Sequence, residues 1–184
     1  GVSVSGALRG GHYSSTAIPF GHTDTSTIAM TPPQSLLKMR KAVQADLPVI
    51  VAMLADDVLG AARERPGDTA LYEAALRRIE AQDGNQLLVA ELPEGVVGCL
   101  QLIVIPGLGL QGAVRGQIEG VRVASSQRGQ RIGEQMIAFA IDAARAAGCR
   151  LVQLTTDKRR TDAHRFYERL GFKATHEGMK LELA

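Results

Sequence analysis

The sequence predicts a single α/β domain in which a mixed β-sheet carries helices on both faces. The predicted elements follow the order β-α-α-β-β-β-α-β-α-β, so a run of strands that can pair with one another is followed by alternating helices and strands. The chain has 184 residues, of which 45% are hydrophobic. That length and composition suit one sizeable core and leave no room for a second complete domain.

The first 36 residues differ in composition from the rest of the chain. Gly, Ser, Thr and Pro account for 18 of the first 34 residues, and the segment has neither a helical nor a strand period. It also lacks the continuous apolar core of a secretory signal. We interpret residues 1–36 as a flexible N-terminal extension and residues 37–184 as the folded domain.

Two helices are predicted in the first half of the domain. Asp46 is expected to cap a helix that runs to about Leu59 and accommodates Pro48 in its first turn. Asp68 is expected to cap a second helix over residues 69–81. The turn Pro93-Glu94-Gly95 is typical of an antiparallel hairpin. The predicted strands of this half cover residues 39–43, 87–91, 96–105 and 117–123.

After residue 131 the hydrophobic period changes to that of a helix. Apolar residues from Ile132 to Ala144 recur on one helical face, and Gly148 can adopt the left-handed conformation that ends a helix. The remaining predicted elements are a buried strand over 151–155, a helix over 162–170, and closing strands over 173–175 and 179–183.

Charge and cysteine content argue against several classes of partner. The formal net charge of +2 is too small to indicate a nucleic-acid or membrane surface. The longest apolar runs are far shorter than the roughly 20 residues of a membrane-spanning helix. Cys99 and Cys149 have no metal-ligand spacing and no disulfide pattern. We expect a cytoplasmic protein without a metal, a nucleic-acid partner or a membrane partner.

One segment combines the features of an anion-binding site. Val121 and Val123 end a strand, and a polar turn leads into a helix through the run Arg128-Gly129-Gln130-Arg131-Ile132-Gly133. The first N–H groups of a helix lack intrahelical partners and its dipole is positive there, so glycines at this point let a phosphate approach closely. Arg128 and Arg131 would add charge-assisted contacts. Taken alone, the segment also fits an ordinary loop with solvated arginines.

Two motifs resemble those of the GNAT acetyltransferases. The run 128–133 is similar to motif A, (Q/R)-x-x-G-x-(G/A), with Arg131 where the family usually has its central glycine. Residues 162–172, DAHRFYERLGF, look like motif B, A-x-x-F-Y-x-x-x-G-F. The resemblance covers about residues 39–184, and the run 158–167 with His176 is similar to the aminoalkylphosphonate N-acetyltransferase branch.

The resemblance implies the GNAT fold and acetyl-coenzyme A as co-substrate. In this family the pantetheine arm lies in a gap between the motif A strand and the following strand, and the pyrophosphate lies at the helix N-terminus. The residues expected to contact the cofactor are Val121, Arg122, Val123, Arg128, Gly129, Gln130, Arg131, Ile132, Gly133, Glu134, Asp157, Arg160 and Phe166.

The resemblance also implies two catalytic side chains. A primary amine has a pKa of about 10, so it must lose a proton before it attacks a thioester at neutral pH. Glu119 stands where family members often carry a base that acts directly or through water; its other interpretation is an exposed carboxylate or an ion pair with Arg115 or Arg122. Tyr167 matches the family's general acid for the leaving thiolate, and its other interpretation is a packing tyrosine.

These residues together predict an N-acetyltransferase that acts on the primary amine of a small molecule. A non-catalytic acyl-coenzyme A-binding module and an enzyme acting on a protein or peptide amine remain as alternatives. Relatives often dimerise, so a homodimer is an open alternative as well. The run 107–112 fits G-x-G-x-x-G but precedes a strand, so we interpret it as a loop over the acceptor site rather than a dinucleotide site.

Overall fold

A five-stranded mixed sheet forms the centre of the computed structural model, which describes residues 36–56 and 63–183. The strand order is β1-β2-β3-β4-β5; neighbours are antiparallel except β4 and β5, which are parallel. The strands are β1 (Lys38–Lys41), β2 (Asn85–Leu92), β3 (Gly95–Ile105), β4 (Arg115–Val123) and β5 (Leu151–Leu154). The helices are α1 (Leu47–Ala55), α2 (Thr69–Glu80), α3 (Ile132–Ala146) and α4 (Thr161–Arg169).

Helices cover both faces of the sheet, which confirms the predicted fold class. Adjacent strand residues point to opposite faces, so Leu88 and Leu100 lie in one core with Met136 of α3, while Val89 and Cys99 lie in a second core with Ile50 of α1. Burial raises the pKa of the Cys99 thiol to about 12. None of the described helices is long and apolar enough to cross a membrane.

The helix ends follow the sequence with one correction. Asp68 accepts a hydrogen bond from the Leu71 N–H at 3.2 Å, and Gly148 has a φ of 76°, both as predicted. Asp46 precedes α1 but makes no cap with its side chain. Its carboxylate instead accepts hydrogen bonds from the Arg40 guanidinium, because that cation lies within reach on β1 and outcompetes the helix N–H groups.

Two predicted features lie wholly or partly outside the described residues. The N-terminal extension over 1–36 falls outside them except for Leu36. The predicted end of α1 near Leu59 also lies outside them, but α1 ends earlier than predicted, at Ala55, because Asp56 has a non-helical ψ of 45°. The run 107–112 contains a single helical turn in which Leu110 and Gln111 have left-handed φ angles of 53° and 62°. No regular helix begins there, and its place over the acceptor site stays a prediction.

The two closing strands predicted over 173–175 and 179–183 are wrong. This segment has no strand in the structure, and Met179, Leu181 and Leu183 are 96%, 85% and 88% exposed. The alternation of apolar residues suits a strand, but a strand also needs a neighbour that pairs its backbone N–H and C=O groups. In the described part of the chain the sheet ends at β5, and the segment lies on no sheet edge.

Candidate active site

A β-bulge in β4 changes the face of the sheet to which the side chains after it point. Gln101 of β3 pairs with Glu119, whereas Cys99 pairs with Arg122, so two residues of β4 stand opposite one residue of β3. Gly120 within this bulge has a φ of 60°, a conformation that favours glycine. The bulge reverses the alternation, so Val121 packs with the α3 side of the sheet while Glu119 belongs to the side of α1 and α2.

The second half of β4 has a free edge. β5 pairs with β4 only from Arg115 to Ile118, where Ile118 stands opposite Leu154. Beyond this point the strands separate, and the backbone of β4 from Glu119 to Val123 has no strand on that side among the described residues. An extended ligand with amide groups can pair with such an edge as an additional strand would.

The turn between β4 and α3 brings the helix N-terminus to this edge. Arg131 at the N-cap has a φ of 61° and a ψ of 15°, the left-handed conformation that a glycine would adopt at lower cost. Gly133 lies in the first turn of α3, and a Cβ atom at this position would meet Phe166 Cζ of α4 at 3.3 Å. The absence of a side chain therefore keeps α3 and α4 close and the first N–H groups of α3 accessible.

These elements enclose a cleft of about 730 Å³. Its walls come from β4, the turn before α3, the first turn of α3, and α4 with the residues before it: Val121, Val123, Gln127, Arg128, Gly129, Arg131, Ile132, Gly133, Glu134, Arg159, Arg160, Thr161, Asp162, Ala163, Phe166, Tyr167 and Arg169. Five arginines face two carboxylates in this lining. The charge balance and the helix N-terminus together favour an anionic ligand.

Three of the arginines are held by carboxylates. Arg128 pairs with Asp56 at 3.0 Å, and Arg131 pairs with Glu134 at 2.7 Å. Arg159 pairs with Asp157 at 2.8 Å, and this contact holds the pKa of the Asp157 carboxyl well below its usual range. These pairs are largely exposed, so each contributes little to folding stability and an incoming phosphate can compete for the cation.

Tyr167 lines the cleft and packs against the core beneath it. Its ring packs edge-on against Phe166 and Phe172, with centroid distances of 5.1 and 5.8 Å. Burial raises the pKa of the Tyr167 hydroxyl, and the positive charges of Arg160 and Arg122 oppose this shift. Because the pKa is raised, the phenol stays protonated throughout the neutral range and can act as a proton donor.

Comparison with known proteins places the chain in a family. A family model described as "Acetyltransferase (GNAT) family" matches residues 48–172. The chain belongs to the GNAT acetyltransferases. Its cleft lies where β4 separates from β5 and α3 begins, and both GNAT motifs contribute to it: motif A through the turn before α3 and motif B through α4.

Individual relatives cover different parts of the chain. An aminoalkylphosphonate N-acetyltransferase of Salmonella typhimurium is 48% identical over 61 residues, which are 33% of this chain and 40% of that protein. A glucosamine 6-phosphate N-acetyltransferase of Trypanosoma brucei brucei is 34% identical over 88 residues, 48% of this chain and 58% of that protein. The chain thus spans about half the length of these curated relatives. A solved structure from Bacillus halodurans C-125, described as a transcriptional regulator, is 49% identical, with a TM-score of 0.77 over 80% of this chain and 99% of that one.

Most of the residues expected to contact the cofactor line the GNAT cleft, but four of the expected site residues do not. Arg122 stands opposite Cys99 and so belongs to the other face of the sheet from Val121, and Gln130 is exposed in the turn. Asp157 holds the loop before α4 by bonding the backbone N–H and guanidinium of Arg159. Glu119 lies on the other face of the sheet, where its Oε1 accepts a hydrogen bond from Gln117 Nε2 at 2.8 Å.

Several lining residues were not among those predicted to contact the cofactor. Gln127, Arg159, Thr161, Asp162, Ala163 and Arg169 also face the cleft. Ala163 and Asp162 lie in the first turn of α4, one helical turn before the expected Phe166, so helical spacing from that residue could have found them. Helical spacing could not have found Arg159, because the direction of its side chain depends on the loop before α4, which Asp157 holds in place.

Proposed function

We propose that this GNAT chain transfers the acetyl group of acetyl-coenzyme A to the primary amine of a small molecule. The observation that carries the proposal is the convergence of three features in one cleft: the free edge of β4, the N-terminus of α3 and the hydroxyl of Tyr167. Each feature suits a different part of the same ligand. The family membership of the chain supports the same interpretation.

The cleft suits coenzyme A part by part. The backbone groups of Val121 and Val123 can pair with the amides of the pantetheine arm. The first N–H groups of α3 can hold the pyrophosphate, with Arg128 and Arg131 as additional donors once they leave their surface carboxylates. The arginines of the loop and of α4 are suited to the remaining phosphate.

Two proton transfers are assigned to residues on opposite sides of β4. Glu119 takes the proton from the acceptor ammonium, directly or through a water, on the side of α1 and α2. The amine then attacks the thioester carbon through the gap between β4 and β5 and the new C–N bond forms. The attacking nitrogen releases a second proton to water as the C–S bond breaks. Tyr167 donates its proton to the leaving thiolate, for which its raised pKa keeps it protonated, and regains a proton from solvent.

For the acceptor, we propose a small amine that also carries a phosphorus oxyanion. The two curated relatives are named for an aminoalkylphosphonate and for glucosamine 6-phosphate, both of which combine these two groups. A screen that scores thiol release with acetyl-coenzyme A should therefore compare such compounds with polyamines, aminoglycosides, amino acids and peptide N-termini. Turnover with none of them, in a protein that still binds acetyl-coenzyme A, would favour the non-catalytic acyl-coenzyme A-binding module.

Acetyl-coenzyme A should raise the melting temperature of the protein. A ligand that binds only the native state stabilises it by about 2.7 kcal/mol at 100 times its dissociation constant. Gly133→Glu should abolish the shift, because its side chain meets Phe166 and brings a negative charge to the helix N-terminus. Gly178→Glu is the matched control, since a Cβ atom there meets nothing within 4 Å. An unchanged wild-type melting curve at millimolar acetyl-coenzyme A would refute the cofactor assignment.

A further inference from the structure

We propose that Gln117 and Gln153 are positioning residues for Glu119 and orient its carboxylate for the proton transfer. The inference rests on the proposed function and extends it to two residues that belong to neither GNAT motif. They form a chain of side-chain hydrogen bonds that crosses from β5 to β4 and ends on Glu119.

The chain of hydrogen bonds depends on the pairing of the two parallel strands β4 and β5. Gln117 of β4 stands directly opposite Gln153 of β5, in the short region where these strands pair. Gln153 Nε2 donates to Gln117 Oε1 at 2.6 Å, and Gln117 Nε2 donates to Glu119 Oε1 at 2.8 Å. Gln117 and Glu119 are two residues apart on one strand before the bulge, so their side chains share a face of the sheet.

The carboxylate of Glu119 sets the direction of these hydrogen bonds. An ionised carboxylate can only accept, so Gln117 must turn its NH₂ group toward Glu119. Its carbonyl oxygen then faces Gln153, which must donate. The two amide orientations are therefore fixed by the charge of Glu119, and hydrogen bonds arranged in one direction strengthen one another.

Burial restricts the side chain of Gln117 more than those of Glu119 and Gln153. Gln117 is 9% exposed, whereas Glu119 and Gln153 are exposed side chains. An exposed glutamate on a strand samples several rotamers, and a buried donor restricts it to those in which Oε1 meets the amide. Within the described part of the chain Glu119 Oε2 accepts no hydrogen bond, so this oxygen is available to an acceptor ammonium.

The strongest test is a double-mutant cycle on turnover. Gln117→Met keeps the side-chain volume and removes both hydrogen bonds; we expect it to lower kcat about 10-fold with little change in the KM for acetyl-coenzyme A, since small displacements of a catalytic group are costly. Gln153→Met should lower kcat about 3-fold. Because Gln153 is exposed, this second variant tests the proposal even if Gln117→Met fails to fold. In a Glu119→Gln background neither substitution should reduce kcat further.

Gln44→Met is the matched control. Gln44 is a glutamine whose Nε2 also donates to a carboxylate, but to Glu73 Oε1 at 2.8 Å instead of Glu119. Its substitution should lack the coupling to Glu119 that the cycle measures. The proposal is overturned if Gln117→Met has wild-type kcat while Glu119→Gln is impaired, or if the two losses multiply. If Glu119→Gln is fully active, the assignment of the base itself fails, and the inference falls with it.

A readout without turnover separates this inference from the proposed function. In ¹⁵N NMR spectra, the side-chain NH₂ signals of Gln117 should shift with pH as the carboxylate they donate to becomes protonated, and this shift should vanish in Glu119→Gln. The signals of Gln44, whose amide donates to Glu73, should show no such dependence on Glu119. A coupled Gln117 signal in a protein without acetyltransferase activity would leave the hydrogen-bond chain intact and refute only the enzymatic role. A Gln117 signal that ignores Glu119 would refute the chain.

Discussion

The packing of Tyr167 and its proposed chemical role belong to different atoms. Its ring fills the space between Phe166 and Phe172, and it contributes to the core shared with α3. Its hydroxyl, on the cleft side, has no hydrogen-bond partner in the described part of the chain, which leaves it available to a ligand. A substitution that removes only the oxygen therefore tests the chemistry and spares the packing.

Tyr167→Phe should lower kcat by about 10²-fold to 10⁴-fold, because the thiolate would leave without a positioned proton donor. The KM for acetyl-coenzyme A and the melting temperature should change little. Steady-state kinetics and thermal unfolding of the same preparation provide the measurement. Full activity in a folded Tyr167→Phe protein would show that the tyrosine only packs.

Arg131 combines an unfavourable backbone conformation with a useful charge. A left-handed conformation costs a non-glycine residue about 1–2 kcal/mol. Arg131→Gly should therefore leave the free energy of unfolding nearly unchanged, since relief of the strain is offset by the greater freedom of glycine in the unfolded chain. Arg131→Val should destabilise the protein, because a β-branched residue tolerates this conformation poorly.

Both Arg131 variants should bind acetyl-coenzyme A more weakly than wild type, because each loses a cation at the proposed phosphate site. Urea unfolding and calorimetric titration separate the two effects. Equal stability of the glycine and valine variants would mean that the backbone at this position is not left-handed in solution.

At the scale of elements, the segment after α4 contrasts with the strands of the sheet. Phe172 packs against the core, but beyond it the chain is exposed up to residue 183. The contact between Lys158 and Glu177 at 3.1 Å joins two exposed side chains and contributes little stability. The apolar residues of this segment therefore bury almost no surface in the structure.

Deletion of residues 178–184 should change the free energy of unfolding by less than about 1 kcal/mol, because the lost residues make few contacts. Urea unfolding of the shortened and complete chains is the measurement. A loss of several kcal/mol would show that this segment pairs with a strand in solution, for which the outer edge of β5, in the same or a second molecule, is the available place.

At the scale of the whole molecule, one ionic cluster ties the start of the domain to the sheet. The Arg40 guanidinium on β1 donates to Asp46 before α1 and to Glu91 on β2, at distances from 2.7 to 3.1 Å. The Val43 N–H also donates to Asp46 at 2.8 Å. The hydrogen bonds from Arg40 lower the pKa values of both carboxyls, while burial of Asp46 opposes the shift.

Stability should fall in acid because these carboxyls have lower pKa values in the folded protein than in the unfolded chain. Their contribution is complete above the unfolded pKa, about 4, and is lost as the pH falls through the folded values. Asp46→Asn should lower stability at neutral pH and flatten its acid dependence. Glu94→Gln, in an exposed turn, controls for net charge. Urea unfolding between pH 2 and 7, which covers most of the range of about pH 1 to 5 where such groups act, measures this. An unchanged slope in Asp46→Asn would contradict it.

Short-range sequence patterns were enough to predict most of the fold. Helical spacing of apolar residues in α3, the turn at Pro93 and Glu94, and the glycine after α3 each depend on residues a few positions apart, so short-range physics determines them. The proposed anion site at the start of α3 depends on short-range features as well, since a helix N-terminus carries its own dipole and donors. Strand pairing depends on distant partners, and there the predictions for the closing strands failed.

The sequence by itself determined the α/β class, the helix boundaries near Asp68 and Gly148, and the two motifs that meet at the cleft. Only the tertiary structure decided that the bulge at Gly120 turns Glu119 away from the cleft, and that Gln153 reaches Gln117 from 36 residues away. It also decided that Asp46 bonds Arg40 and that the last apolar residues stay unpaired. The physical reason is that register, and with it the face and partner of each strand side chain, is set by pairing between strands distant in sequence.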